Sequence, residues 1–161
     1  MDIDDGVDYI RSKNFLLFDC ESIRIGTHDC IRKIYGLAKD GFSSVSHDFH
    51  PCVEYDELSW IDLRSFEHCK RHVHKLEFYP PTYAYRCIEV KYILRDFIQQ
   101  NRINLLLYKG GNIEKSLAED LNIPSFNIEN VGAPKVGSHE PEVEVDKHWN
   151  FLLRRGCILQ F

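Results

Sequence analysis

Phe15-Leu16-Leu17-Phe18-Asp19-Cys20-Glu21-Ser22 runs four apolar residues straight into two carboxylates. A continuous apolar run of this length reads as a strand buried on both faces. Asp19 and Glu21 lie two apart, so an extended chain carries both carboxylates on one face. Two acids at the end of a buried strand repel each other and stabilise little unless a cation neutralises them. The plainer reading is a strand end dipping into solvent, where acids are common.

Outward from this strand, Cys30 to Leu37 forms a second strand, Lys39-Asp40-Gly41 a turn, and Ser44 to Phe49 an alternating third strand. Three strands joined by short turns make an antiparallel meander. Leu58 to His74 mixes apolar and charged residues and reads as a helical or irregular insertion, closed by Pro80-Pro81. From Tyr83 to Gln100 the apolar positions Ile88, Tyr92, Ile93 and Phe97 recur at helical spacing, with Leu94 beside them. Ile103 to Tyr108 is a second buried strand, and Lys109-Gly110-Gly111-Asn112 leads into a helix through Leu121. Phe126-Asn127-Ile128 is a short strand, and Pro141 sits well in the first turn of a last helix ending at Gly156. The expected fold is therefore α/β, a mixed sheet built from a three-strand antiparallel meander followed by strand-helix units and flanked by helices. Residues 1–13, acidic and glycine-containing, read as a loosely ordered leader, and 14–161 as a single domain.

Composition agrees with one globular domain: 161 residues, 43% hydrophobic and 12% aromatic. The formal net charge of −5 argues against a generally basic nucleic-acid coat, although a carboxylate metal site contributes to that number and basic residues can still line one groove. No apolar segment approaches membrane-spanning length, and Met1-Asp2-Ile3-Asp4-Asp5 is unlike the basic start of a signal peptide. A cytoplasmic or nuclear location without membrane partners is the expectation.

The order of elements, with Asp-x-Glu closing the first strand, resembles the ribonuclease-H-like fold of the DEDDh exonucleases. That family carries Asp-x-Glu on the first strand, an Asp opening the helix after the fourth strand, and a His followed five residues later by an Asp on the last helix. Asp19 and Glu21 match the first motif. Gly110-Gly111-Asn112-Ile113-Glu114 resembles the second, with Glu114 in place of Asp, and His139 with Glu144 resembles the third, again Glu for Asp. The resemblance implies metal-dependent 3′–5′ hydrolysis of RNA or single-stranded DNA. Asp19, Glu21, Glu114 and Glu144 would hold two Mg²⁺ or Mn²⁺ ions about 4 Å apart, and His139 would take the proton from water. Each Asp→Glu exchange moves a carboxylate by one methylene, on the order of 1.5 Å. An inactive module of the same fold, binding nucleic acid or a protein partner, is the alternative.

Several of these residues also have simpler readings. Glu114 equally suits a helix N-terminus, where the dipole favours acids, and His139 equally suits a polar loop before a helix. His148 stands as a fallback base and Asp146 as a spare acid. Lys109, Lys115, Lys135 and Arg86 are the basic residues expected to meet a nucleic-acid backbone. The six cysteines never form a Cys-x-x-Cys pair and read first as buried small hydrophobes. Cys69-Lys70-Arg71-His72-Val73-His74, with His68 before it and Cys52 and His50 upstream, nevertheless has the spacing of half a structural zinc site with Cys69 and His72 as ligands, whose other half Cys87 or the pair His139 and His148 would supply.

Overall fold

A computed structural model describes residues 2–81, 83–133 and 141–158, with the side chains of 141–145 left aside. It is α/β, with a six-stranded mixed sheet and five helices. The strands are β1 (Phe15–Ile25), β2 (His28–Ala38), β3 (Ser44–His50), β4 (Tyr85–Arg86), β5 (Leu105–Tyr108) and β6 (Ser125–Asn127). The helices are α1 (Ile3–Arg11), α2 (Trp60–His72), α3 (Val90–Gln100), α4 (Asn112–Asp120) and α5 (Pro141–Arg154).

Across the sheet the order is β4-β3-β2-β1-β5-β6. β1, β2 and β3 form the expected antiparallel meander, while β5 pairs parallel with β1 and β6 parallel with β5. The apolar run explains the centre: Phe15 to Phe18 are all at most 2% exposed because both faces of β1 are covered. Phe15 and Leu17 pack with Leu105, Leu107, Ile128, Phe151 and Leu152 on one side. Leu16 and Phe18 pack with Val90, Leu94, Leu106 and Leu117 on the other. Each side buries several large side chains at about 1.5–3 kcal/mol apiece, so this strand anchors the fold.

Three local expectations are corrected. The acidic N-terminus is no loose leader: Asp2 caps α1 by accepting from the Asp5 N–H at 2.8 Å, and Val7 and Ile10 are buried against the sheet. The spacing of Ile3, Val7 and Ile10 carries that signal, masked by the run of acids. The helix expected from Tyr83 begins only at Val90, preceded by β4 and a short 3₁₀ turn at Cys87–Glu89. Its inner stripe is Val90 and Leu94 with Ile93, Phe97 and Ile98, whereas Ile88 and Tyr92 are exposed.

The strand pairing slips once. Glu21 faces Lys33 and Ser22 faces Ile31, which leaves Arg32 as the extra residue of a β-bulge on β2. Arg32 is 1% exposed, its Nη1 lies 2.6 Å from Asp48 Oδ1 on β3, and its Nε donates to the Glu77 carbonyl at 3.0 Å. Next to it His74 is buried, with Nδ1 accepting the Leu76 N–H at 2.9 Å and Nε2 without a partner among the described residues. Burial, and then the Arg32 charge, hold the His74 pKa below its ordinary 6.5. The unfolded chain therefore binds a proton there more readily than the fold does, so the stability tied to neutral His74 is complete above about pH 6.5 and is lost as pH falls from there through the depressed value. Thermal melts between pH 7.5 and 5 should show this decline, and His74→Asn, which keeps an acceptor for Leu76, should flatten it.

Candidate carboxylate site and thiol cluster

β1 outruns its parallel neighbour. The β1–β5 pairing covers Phe15 to Leu17, and β5 ends at Tyr108, so Asp19, Cys20 and Glu21 extend past the end of the ladder. The Cys20 N–H would be left without a strand partner there. Glu114, in the first turn of α4, fills the gap: its Oε1 accepts the Cys20 N–H at 3.0 Å, and its carboxyl hydrogen-bonds with that of Asp19. Two carboxyl groups from elements nearly a hundred residues apart thus meet at the carboxyl end of the central parallel pair. In open α/β sheets this point, where the chain leaves β1 and β5 in opposite directions, is where ligands characteristically bind.

The approach depends on the loop before α4. Gly110 adopts φ +74°, and a Cβ on Gly111 would stand 2.8 Å from Glu114 Oε2, so these glycines leave room for the carboxyl. Asn127 Oδ1 fixes the loop by accepting from the Gly110 N–H at 3.1 Å and from the Glu129 N–H at 3.0 Å. Sequence reasoning missed Asn127 and Glu129; the short β6 that ends at Asn127 carried no signal of what it would face.

Glu114 is only 5% exposed. Burial raises its pKa above the ordinary 4.5, opposed by hydrogen bonds from the Cys20 N–H, its own backbone and Asp19. The Cys20 thiol is pushed up, first by burial and then by the charges of Glu114, Asp19 and Glu21. Asp19 and Glu21 are half-buried. The expected acids Asp19 and Glu114 are therefore brought together, and Glu21 stands two residues on along the same strand. His139 and Lys135 lie outside the described residues, as does the side chain of Glu144. His148 is 3% exposed on α5, the helix that packs on β1 and β2.

Among the described basic residues, Lys109 and Lys115 are set apart from Arg86 in the sheet. Lys109 follows β5 and Lys115 is exposed on α4, both near Glu114 in the chain, whereas Arg86 sits on β4, with β3, β2 and β1 between it and β5. Among the described residues no helix is long and apolar enough to cross a membrane.

A second group of donors lies elsewhere. The thiols of Cys30, Cys52 and Cys87 all lie within 4.8 Å of one another, and among the described residues they make the grouping of three side chains able to share one metal ion. Cys69 and His72, expected as zinc ligands, are not part of it: both ride on α2, where the His72 ring lies 4.8 Å from that of His68. Spacing along the chain favoured a nearby pair, but the fold joins three cysteines from distant segments, which no local pattern reveals. No family model matches this sequence, and no curated protein matches it either.

Proposed function

We propose that the chain is a ribonuclease-H-like, metal-dependent phosphodiester hydrolase acting on RNA or single-stranded DNA from the 3′ end. The observation that carries this reading is the Asp19–Glu114 carboxyl pair at the carboxyl end of β1 and β5, with Glu21 beside it. Supporting it, β3-β2-β1-β5-β6 is the strand order expected of a meander followed by parallel strand-helix units. The donor set suits hard divalent cations, since it offers carboxylate oxygens, and an acid pair with Glu114 buried is costly until a cation neutralises it. Asp19, Glu21 and Glu114, joined by Glu144, would hold Mg²⁺ or Mn²⁺, which when bound supply charge neutralisation and a lowered pKa for water. His139 is assigned the proton from that water, its ordinary pKa lying near neutrality. Lys109 and Lys115 are assigned to the phosphate backbone.

One observation favours a second reading, an inactive module that binds nucleic acid or a protein: Glu114 is already engaged as the edge partner of Cys20, a structural task needing no metal. The two readings part in a single assay. An internally labelled single strand should shorten only with Mg²⁺ or Mn²⁺, Asp19→Asn should abolish shortening, and His139→Ala should slow it. Binding that weakens with salt, without cleavage in either metal, would hand the site to the second reading. Cleavage untouched by Asp19→Asn would remove the site from both.

A further inference from the structure

Cys30 lies on β2, Cys52 just beyond the end of β3, and Cys87 opens the turn after β4. Three segments separated by more than twenty residues each thus deliver one sulfur apiece to a single point. Cys52 Sγ lies 3.0 Å from Cys30 Sγ, and the Cys52 backbone N–H donates to Cys30 Sγ at 3.3 Å. The Cys87 side chain hydrogen-bonds that of Cys52. Cys30 is buried, Cys87 half-buried and Cys52 exposed, so the cluster opens to one side. On that side is a cleft of about 670 Å³ lined also by His28, Asp29, Lys91 and Asp120.

We propose that Cys30, Cys52 and Cys87 form a zinc(II) thiolate site whose fourth position faces this cleft. Zinc takes sulfur at about 2.3 Å in a tetrahedron, which sets the sulfurs about 3.8 Å apart. The observed grouping within 4.8 Å brackets that separation, and the closest pair must part by less than 1 Å. A backbone N–H aimed at a sulfur is the outer contact that thiolate sites use to stabilise their charge. A disulfide would use only two of the three sulfurs and leave the third without a purpose. On binding, each thiol loses its proton to solvent and keeps its electron pair for the metal, so no oxidant or reductant is involved. The fourth position is left to a solvent ligand from the cleft.

The site has a mechanical consequence. β4 pairs with β3 through only Phe49–Tyr85 and His50–Arg86, and Cys87 follows at once. Zinc there ties β4 and the start of α3 to the β2–β3 hairpin and closes the excursion that carries α2.

The test uses the full chain, purified under reductant without chelators. Elemental analysis should find about one zinc per chain, and Co²⁺ substitution should give a sulfur-to-cobalt charge-transfer band of three-thiolate intensity. Cys30→Ser, Cys52→Ser and Cys87→Ser should each lower zinc affinity at least tenfold, while Cys69→Ser and Cys157→Ser keep it. Because a serine variant can fail to fold, the wild-type chain also serves: chelation should speed amide exchange across residues 83–90 and leave β1 and β5 protected. Zinc that stays substoichiometric after reconstitution with zinc chloride, a cobalt band of one or two thiolates, or zinc lost with Cys69→Ser would each overturn the proposal. So would a Cys30–Cys52 disulfide persisting under reductant.

Discussion

Replacing Asp48 by alanine is expected to cost the fold roughly 3 kcal/mol, the lower end of what breaking a buried ion pair costs. Arg32 is almost wholly buried and Asp48 is its carboxylate partner, itself about one-fifth exposed. Without Asp48 the guanidinium keeps, among the described residues, the Glu77 carbonyl alone, and a buried charge lacking its counter-ion bears the full desolvation penalty. The loss falls at the low end because Asp48 touches solvent, which also screens the weaker attraction that Lys33, 3.7 Å away, loses with it. The cost belongs to the stranded charge rather than to the pair, so Arg32→Met combined with Asp48→Ala should recover most of it. Urea unfolding of the two single variants and the double variant measures the coupling; equal losses in Asp48→Ala and in the double variant would show that the pair is not what holds the bulge.

Glu114 should respond in opposite senses to two substitutions. In Glu114→Ala the Cys20 N–H loses its acceptor at a buried position, at a cost of about 1–3 kcal/mol. In Glu114→Gln the side-chain carbonyl still accepts that N–H and the buried negative charge is gone, so the protein should melt at or above the wild-type temperature at pH 7. Because burial raises the Glu114 pKa, the fold binds this proton more tightly than the unfolded chain does. Stability therefore falls as pH rises from the ordinary 4.5 through the raised folded value, and stays reduced above it. The Gln variant should lack that decline. Metal-dependent cleavage, if Glu114 is a ligand, should vanish in both variants, since an amide is a poor substitute for a carboxylate at Mg²⁺. Calorimetric melts from pH 4 to 8, paired with the cleavage assay, separate the structural task from the catalytic one. A Gln variant melting as low as the Ala variant would contradict the edge-partner role.

The parts of this fold that were legible in the sequence are those whose signal is local. Phe15 to Phe18 and Leu105 to Leu107 announce buried strands because no polar residue interrupts them, and Asp40-Gly41 announces the turn between β2 and β3. Asp19 and Glu114 could be nominated as partners only through a resemblance, yet the physical reason for their meeting is simple: β5 stops short and an acid on the next helix takes over the exposed amide. What the sequence hid was long-range. The bulge at Arg32 depends on a register between two strands, and Arg32-Lys33 reads in isolation as an ordinary basic pair. The three clustered thiols depend on the start of β2 meeting the ends of β3 and β4, while Cys69 and His72 drew notice because they are close in sequence. Acids concealed α1 by lowering its mean hydropathy, although Asp2 is the residue that starts it.

Both outer strands of the sheet are very short, two residues in β4 and three in β6. An edge this brief offers little backbone for a second chain to pair with, and so guards against edge-to-edge aggregation. The guard on the β4 side is slender: if Tyr85 and Arg86 detach, the seven-residue β3 becomes the margin of the sheet. Its one acid, Asp48, is already engaged by Arg32 and Lys33, so a bared β3 would carry little free charge to oppose strand addition by a neighbouring molecule. Two residues of pairing in β4 thus stand between this sheet and addition of a second copy along β3.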